Sequence, residues 1–220
     1  MLRDSSAGIT FSGPGLRDLL PANMRNTKTI ILASASPRRK EILGKTGLKF
    51  RVDESECEEM PVPGLSPHEL ARYLSREKAR DVARKHRNAL VIAADTIVTS
   101  RGRLFGKPGN EEEARQMLKS LSGKAHLVIT GFTIIDTESR KELSRSVETK
   151  VFFKRLSADE IEAYIRSGEP LDKAGAYGIQ GLGAVIVKKI EGDFFNVMGL
   201  PLHALARSLK KFGIDILKQN

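Results

Sequence analysis

Strands mixed with helices are what this sequence predicts, and three stretches predict it. Ala89–Val98 places eight apolar side chains in ten residues, which reads as a strand buried on both faces. Thr29–Ala33 is a short apolar strand that runs straight into Ser36 and Pro37, a good N-cap and a good first helical residue. Ser66-Pro67-His68-Glu69 and Ser157-Ala158-Asp159-Glu160 are capping boxes, each opening a further helix.

Composition sets the outer limits. The chain has 220 residues, 40% hydrophobic and 29% charged, which suits a soluble globular protein of one large domain or two small lobes. Cys57 is the single cysteine, so an internal disulfide and a cysteine-rich zinc site are both excluded. That usage suits a reducing cytoplasm. The net charge of +10 favours polyanionic partners such as nucleic acid, acidic membranes or free nucleotides. The charge is scattered and Trp is absent, which argues against a nucleic-acid arm or a base-stacking surface. No apolar run approaches a membrane span. Met1–Met24 lacks periodicity and the apolar centre of a secretory signal. It reads as a flexible extension ahead of a start at Met24, with folding expected from about Thr29.

The first strand ends in a tight turn, Ser34-Ala35-Ser36, and then the helix Pro37-Arg38-Arg39-Lys40 begins. Helix N-termini offer free N–H groups and a positive dipole end to anions. Two arginines in a first turn oppose the dipole preference for acids there, which favours an anion site over an ordinary cap. Phe50–Glu59 turns from apolar to acidic and leads to the Pro61 and Pro63 loop. Such loops are commonly just solvated, yet a carboxylate here could join Asp95 around a divalent cation. The helix from Ser66 is expected to run to about His86, burying Leu70, Leu74, Lys78 and Val82 at steps of four. Lys78 is the odd member: it either snorkels to the edge or points its charge into a cleft.

Asp95 is the odd member of its strand. Burying a carboxylate is costly without a partner. It either caps a neighbouring turn or is held on a rigid strand to bind a metal or activate water. A turn at Ser100–Arg103 follows, then a stiff loop, Gly106-Lys107-Pro108-Gly109, that holds Lys107 out. Asn110 caps an acidic-fronted helix that ends near Gly123, and strands follow at His126–Asp136 and Arg145–Arg155. After the helix from Ser157 to Gly168 comes Asp172–Gly183, whose glycines permit close backbone approach to a ligand or simply tight turns. It does not fit the dinucleotide pattern G-x-G-x-x-G. The Gln180 amide could bond a base edge. A strand at Ala184–Ile190 and a helix at Leu202–Phe212 complete the chain.

Six separated stretches, in order, carry a resemblance: Leu32–Arg39, Arg76–Ala79, Ala94–Val98, Gly106–Pro108, Leu171–Gly181 and Val197–Pro201. Together they resemble the Maf family of nucleotide pyrophosphatases over about Thr29 to Phe212. The resemblance implies an α/β fold of two lobes around a long mixed, twisted β-sheet with flanking helices and a central cleft, with residues 25–220 as one catalytic domain. It implies hydrolysis of a nucleoside triphosphate to monophosphate and pyrophosphate with a divalent cation, Mg²⁺ or Mn²⁺, in a cytoplasmic homodimer. Carried over by motif, Asp95 is the proton acceptor and a metal ligand. Ser34 and Arg38 contact the phosphate end, and Lys78 and Lys107 neutralise the triphosphate. Glu59 assists the metal or water, with Glu58 in its place if the loop aligns one residue off. Arg38, Thr96 and Gln180 are similar to the branch that prefers dTTP and UTP. The branch acting on 7-methyl-GTP carries a bulky aromatic at position 38 and another residue at 180. A modified-purine pyrophosphatase is the rival enzyme reading. A basic nucleic-acid-binding regulator of septum formation is the rival of another class.

Overall fold

The computed structural model describes residues 28–57 and 62–218. The extension expected at Met1–Met24 lies outside them, as do Glu58 and Glu59.

One sheet organises the chain. Its strands are β1 (Thr29–Leu32), β2 (Phe50–Val52), β3 (Ala89–Ser100), β4 (Arg103–Phe105), β5 (Ala125–Asp136), β6 (Glu142–Phe153) and β7 (Val187–Glu191). The order is β2-β1-β3-β5-β6-β7, with β4 added beside β3. β1 pairs parallel to β2 and β3, while the other pairings are antiparallel, so the sheet is mixed as expected. The helices are α1 (Pro37–Gly44), α2 (Pro67–Lys85), α3 (Glu111–Leu121), α4 (Ala158–Arg166), α5 (Phe194–Met198) and α6 (Leu202–Leu209).

β3 is buried on both faces, as its apolar run demands. Leu90, Ile92 and Ala94 pack with Ile42 and Leu43 of α1 and with Leu205 and Leu209 of α6. Val98 packs with residues of α3 and α4. On the other face Val91 and Ala93 meet Ala79 and Val82 of α2, and Ile97 meets Ala71. The apolar series is interrupted at Asp95 and Thr96, which point to opposite faces because strand side chains alternate.

Register explains why a cavity can open there. On one edge β3 pairs with β5 from Leu90 to Thr99. On the other edge β1 stops opposite Ile92 and β4 begins opposite Val98. Asp95 and Thr96 lie in the gap between. β1 delivers its chain into the Ser34–Ser36 turn at the same place, at the carboxyl end of a parallel pair, where open α/β sheets place ligands.

α2 departs from the expected stripe. Its buried row is Ala71, Ser75, Ala79 and Val82, while Leu70, Leu74 and Lys78 flank it. The reason is steric. α2 crosses β5 at Gly131, where an added Cβ would stand 2.1 Å from the Ala71 carbonyl oxygen. So close a crossing selects small residues for the central row. The leucines cover Ile97 and Ile129 from the side, and Lys78 projects along the flank. The helix starts as the capping box predicts, with Ser66 accepting from the Glu69 N–H and the Glu69 side chain reaching the Ser66 N–H. Such a cap contributes about 1 kcal/mol.

Other boundaries shift modestly. β2 and β4 are three-residue strands within stretches read as an apolar-to-acidic segment and a loop. The last strand begins at Val187, because Gly181–Val185 folds as a 3₁₀ turn. The final α-helix ends at Leu209 and continues as 3₁₀ through Lys210–Phe212. No described helix is long and apolar enough to cross a membrane.

Candidate active site

A cavity of about 380 Å³ opens at the gap in β3. That lies within the range of small-molecule sites. Arg38, Lys78, Asp95, Thr96, Lys107 and Gln180, separated widely in sequence, all line it. Ser36, Arg39, Asp172 and Lys173 also line it.

Asp95 is 8% exposed, and the Nζ of Lys78 stands 2.5 Å from its Oδ1. The lysine comes from the flank of α2, so the helix crossing at Gly131 sets this pair. Of the two sequence readings of Lys78, the structure takes the one that points charge inward. Asp95 is a cavity carboxylate paired with a cation, not a cap on a turn.

The first turn of α1 supplies two arginines with different surroundings. Ser36 caps the helix, its Oγ accepting from the Arg39 N–H. Arg38 reaches across the cavity mouth to the Asp172 carboxylate at 3.4 Å. Arg39 is fixed on three sides. Its Nε donates to the Gly199 carbonyl at 2.8 Å, its Nη1 to Ser34 Oγ at 3.1 Å and its Nη2 to Thr96 Oγ1 at 3.2 Å. Thr96 in turn meets Thr130 Oγ1 at 3.0 Å, and Thr130 donates to the Asn196 carbonyl at 2.9 Å. A hydroxyl has one proton, so Thr96 donates to Thr130 and accepts from Arg39. Ser34 and Thr96, assigned to substrate in the sequence, here hold the arginine that faces it.

The opposite side is the segment 169–183. Lys173 donates to Asp172 Oδ1 and to the Glu169 carbonyl, both at 2.6 Å. Burial opposes the charged form of Asp172. The Lys173 hydrogen bond and the charges of Lys173 and Arg38 outweigh it, leaving the carboxyl below its ordinary range. Gly175 turns with φ 73° and donates its N–H to the Gly106 carbonyl at 3.0 Å, which ties this segment to the Lys107 loop. An added Cβ at Gly175 would meet Val98 Cγ1 at 3.0 Å, so the close turn requires glycine.

Under this segment lies an aromatic trio, His126, Phe153 and Tyr177, packed edge to face. His126 Nε2 stands 2.7 Å from the Tyr177 hydroxyl. Burial pushes His126 down to about 4 and pushes the Tyr177 phenol up. Both are therefore neutral at ordinary pH, and Tyr177 forms a rigid floor to the cavity.

Among the described residues no group of three or more His, Cys, Asp or Glu side chains is arranged to hold a metal ion. Asp95 and Asp172 are the carboxylates lining the cavity. Hard oxygen donors of this kind suit Mg²⁺, which commonly takes one or two carboxylates and completes its shell with phosphates and water. Glu59 and Glu58 lie outside the described residues. Arg39 was read with Arg38 as part of the anion site, whereas Asp172 and Lys173 were not singled out as substrate contacts in the sequence, although both fall inside the motifs that carry the resemblance.

Comparison with known proteins identifies the family. Residues 29–212 match the family described as Maf-like protein. A dTTP/UTP pyrophosphatase of Methanosarcina barkeri is 54% identical over 193 residues, covering 87% of this chain and 98% of that protein. A dTTP/UTP pyrophosphatase of Methanococcoides burtonii is 50% identical, covering 86% and 97%. Another, from Bacillus cereus, is 49% identical, covering 87% and 93%. With the family match spanning nearly the whole described chain and relatives of this identity matching end to end, the protein belongs to the Maf-like family.

Proposed function

We propose that the protein hydrolyses dTTP and UTP to the nucleoside monophosphate and pyrophosphate, a house-cleaning activity on the nucleotide pool that depends on a divalent cation. The observation that carries this reading is a buried carboxylate, Asp95, that shares a single cavity with Arg38, Arg39, Lys78, Lys107 and Lys173. A triphosphate is a polyanion, and breaking it leaves a polyanion. Prepositioned cations stabilise that charge as it develops, which is most of what phosphoryl-transfer catalysis requires.

The products define the bonds. Water attacks the α-phosphorus, the bond to the α,β-bridging oxygen breaks, and pyrophosphate leaves. Asp95 takes the proton of the attacking water. Its strand and the Lys78 contact fix the direction of the carboxylate before substrate arrives. Arg38 and the anchored Arg39 bind phosphate oxygens from the α1 side, and Lys107 and Lys173 from the other. A plain aspartate is a weak base near pH 7. A bound Mg²⁺ or Mn²⁺, held by Asp95 and the substrate's own oxygens, would lower the pKa of the water and neutralise phosphate charge.

The base is assigned to the part of the lining made by Ile179, Gln180, Val197 and Met198, which gives apolar surface and one amide. An amide has a donor and an acceptor side by side, complementary to the N3–H and carbonyl edge of uracil or thymine. The names of the relatives support the same substrates.

The test is pyrophosphate release from a panel of nucleoside triphosphates, with cation and with chelator. Release from dTTP and UTP that needs the cation is expected. A preference for 7-methyl-GTP would overturn the substrate, and no release from any nucleotide would overturn the reaction.

A further inference from the structure

Gln180 sits in a loop outside the strands and α-helices, next to Ile179, which packs on the core. The loop runs from Gly178 to Gly183 and folds around one side chain contributed by the turn before it. Glu169 Oε1 accepts from the Tyr164 hydroxyl at 2.9 Å and from the Gly183 N–H at 3.0 Å. Its Oε2 accepts from the Leu182 N–H at 2.9 Å. The Tyr164 hydroxyl accepts in turn from the Gly178 N–H at 3.2 Å. Contacts therefore fall on both sides of Gln180: at 182–183 directly on the Glu169 carboxylate, and at 178 on the Tyr164 hydroxyl that donates to it.

The fit is close. An added Cβ at Gly181 would stand 2.6 Å from Glu169 Oε2, and one at Gly183 would stand 1.9 Å from the Gly178 carbonyl oxygen. A ring of backbone so tight around a carboxylate has few alternative conformations while the carboxylate is present. Without it, two backbone N–H groups and a phenol that is 7% exposed lose their acceptor. Hydrogen bonds to a charged acceptor are the strong ones, and the Tyr164 hydroxyl and the part-buried Gly183 N–H are the donors costly to leave unmatched, since the Leu182 N–H lies at the surface.

We propose that Glu169, acting through Tyr164, is a positioning residue for base recognition: it fixes the loop that presents Gln180 and so sets affinity for the nucleoside part of the substrate and not for its phosphates. This rests on the reading of the cavity as a nucleoside triphosphate site. Most of the phosphate end is mounted elsewhere, Asp95, Arg38, Arg39 and Lys78 on β3, α1 and α2 and Lys107 on its own loop, and only Lys173, with Asp172 beside it, belongs to this segment. Lys173 bonds the main-chain carbonyl of Glu169, not its carboxylate, so that contact survives a change of side chain.

The discriminating experiment compares two ligands on three proteins: wild type, Glu169→Gln and Tyr164→Phe. Tyr164→Phe removes one hydroxyl and keeps the ring in the core, so it remains informative if Glu169→Gln folds poorly. KM and kcat are measured for dTTP, and the inhibition constant for inorganic tripolyphosphate, which has no base. The expected result for Glu169→Gln is a rise of about ten-fold in KM for dTTP, the cost of unmatched charge-assisted bonds. Tripolyphosphate inhibition and kcat are expected to stay within about two-fold, and Tyr164→Phe to give the same pattern at smaller size, as loss of a single hydrogen bond should. Parallel loss of dTTP and tripolyphosphate affinity would overturn the proposal and make Glu169 part of the general scaffold. Unchanged dTTP affinity in both variants would also overturn it. A wild-type protein that releases no pyrophosphate is distinguishable from either, because it removes the underlying function first.

Discussion

The two sides of the cavity are built by different physics. On the Asp95 side, each functional group is mounted on regular structure. Asp95 and Thr96 stand on the twelve-residue β3, Lys78 on the nineteen-residue α2, and Arg38 and Arg39 on α1. On the Gln180 side, the segment 169–183 contains short 3₁₀ turns, with positive φ at Gly175, Ala176 and Gly181. Its order comes from hydrogen bonds to Glu169 and from the packing of Tyr177 on His126. A site needs its charges to be rigid, because preorganised charge is what stabilises the transition state. On the proposed reading the loop side contributes Lys173 to the phosphates, but its Gln180 end binds the base without reacting, so a loop set by a few bonds suffices there, and it is the end where a small change can alter substrate choice.

The largest way to break this contrast is at Asp95. Asp95→Asn keeps shape and volume but removes the proposed proton acceptor, and general-base removal costs about 10²–10⁴ in rate. A loss of about 10³-fold in pyrophosphate release is expected, with an unchanged circular dichroism spectrum. Retained activity would move the base elsewhere in the cavity.

The next effect belongs to the other side, and pH reveals it. His126 is held neutral, with its pKa lowered by burial to about 4 from the ordinary 6.5 of an imidazole. The unfolded chain therefore binds more protons between these values. The stabilisation is full above about pH 6.5 and is lost as pH falls through that window towards 4. At pH 5 the loss is on the order of 2 kcal/mol. Urea unfolding of wild type and His126→Asn at pH 7 and pH 5 measures it, and the variant is expected to show a smaller drop. An equal drop in both would mean that other groups carry the acid sensitivity.

Arg39→Lys is expected to weaken the Asp95 side by a comparable amount. A lysine cannot serve Gly199, Ser34 and Thr96 together, since its donors leave one point instead of a planar fork. Stranding one or two of these acceptors costs about 1–3 kcal/mol. Thermal unfolding measures this loss. Asn at 196 and Thr at 130 then lie at the end of the disturbed chain, so Thr96→Val should reproduce part of the loss.

How much of this was legible depended on sequence distance. The Ser36–Pro37 start of α1 and the capping boxes at Ser66 and Ser157 declare themselves within four residues, and the structure has all three. The buried strand around Asp95 was legible because burial on both faces leaves an unbroken apolar run. The α2 row was misread because hydrophobicity was ranked above size. Only the crossing partner, Gly131, 60 residues away, makes Ala71, Ser75 and Ala79 the close contacts. Thr96 and Ser34 could be recognised as site residues by motif, but their bonds to Arg39 span 57 and 5 residues and have no local signal. The Glu169 ring was invisible for the same reason, and so was the pairing of His126 with Tyr177. β2 and β4 are too short to show a period.

The smallest expected effect sits where the two sides touch. Arg38 of α1 meets Asp172 of the loop side, and Asp172 also pairs with Lys173. The Asp172 side chain is 63% exposed, so this ion pair adds at most about 1 kcal/mol to folding. Its larger role is electrostatic. Asp172 places a negative charge beside two of the cations that face the triphosphate, so it competes with substrate for them. Asp172→Asn keeps the shape, removes that competitor and is expected to lower KM for dTTP by about two- to three-fold, with little change in the unfolding temperature, as removal of one screened charge should. The gain should shrink as salt is raised, because the interaction is near the surface. A rise in KM, together with a higher cation concentration needed for half-maximal rate, would reverse the assignment. It would place Asp172 beside Asp95 as a ligand for the divalent cation, and the loop side would then take part in the chemistry as well as in recognition.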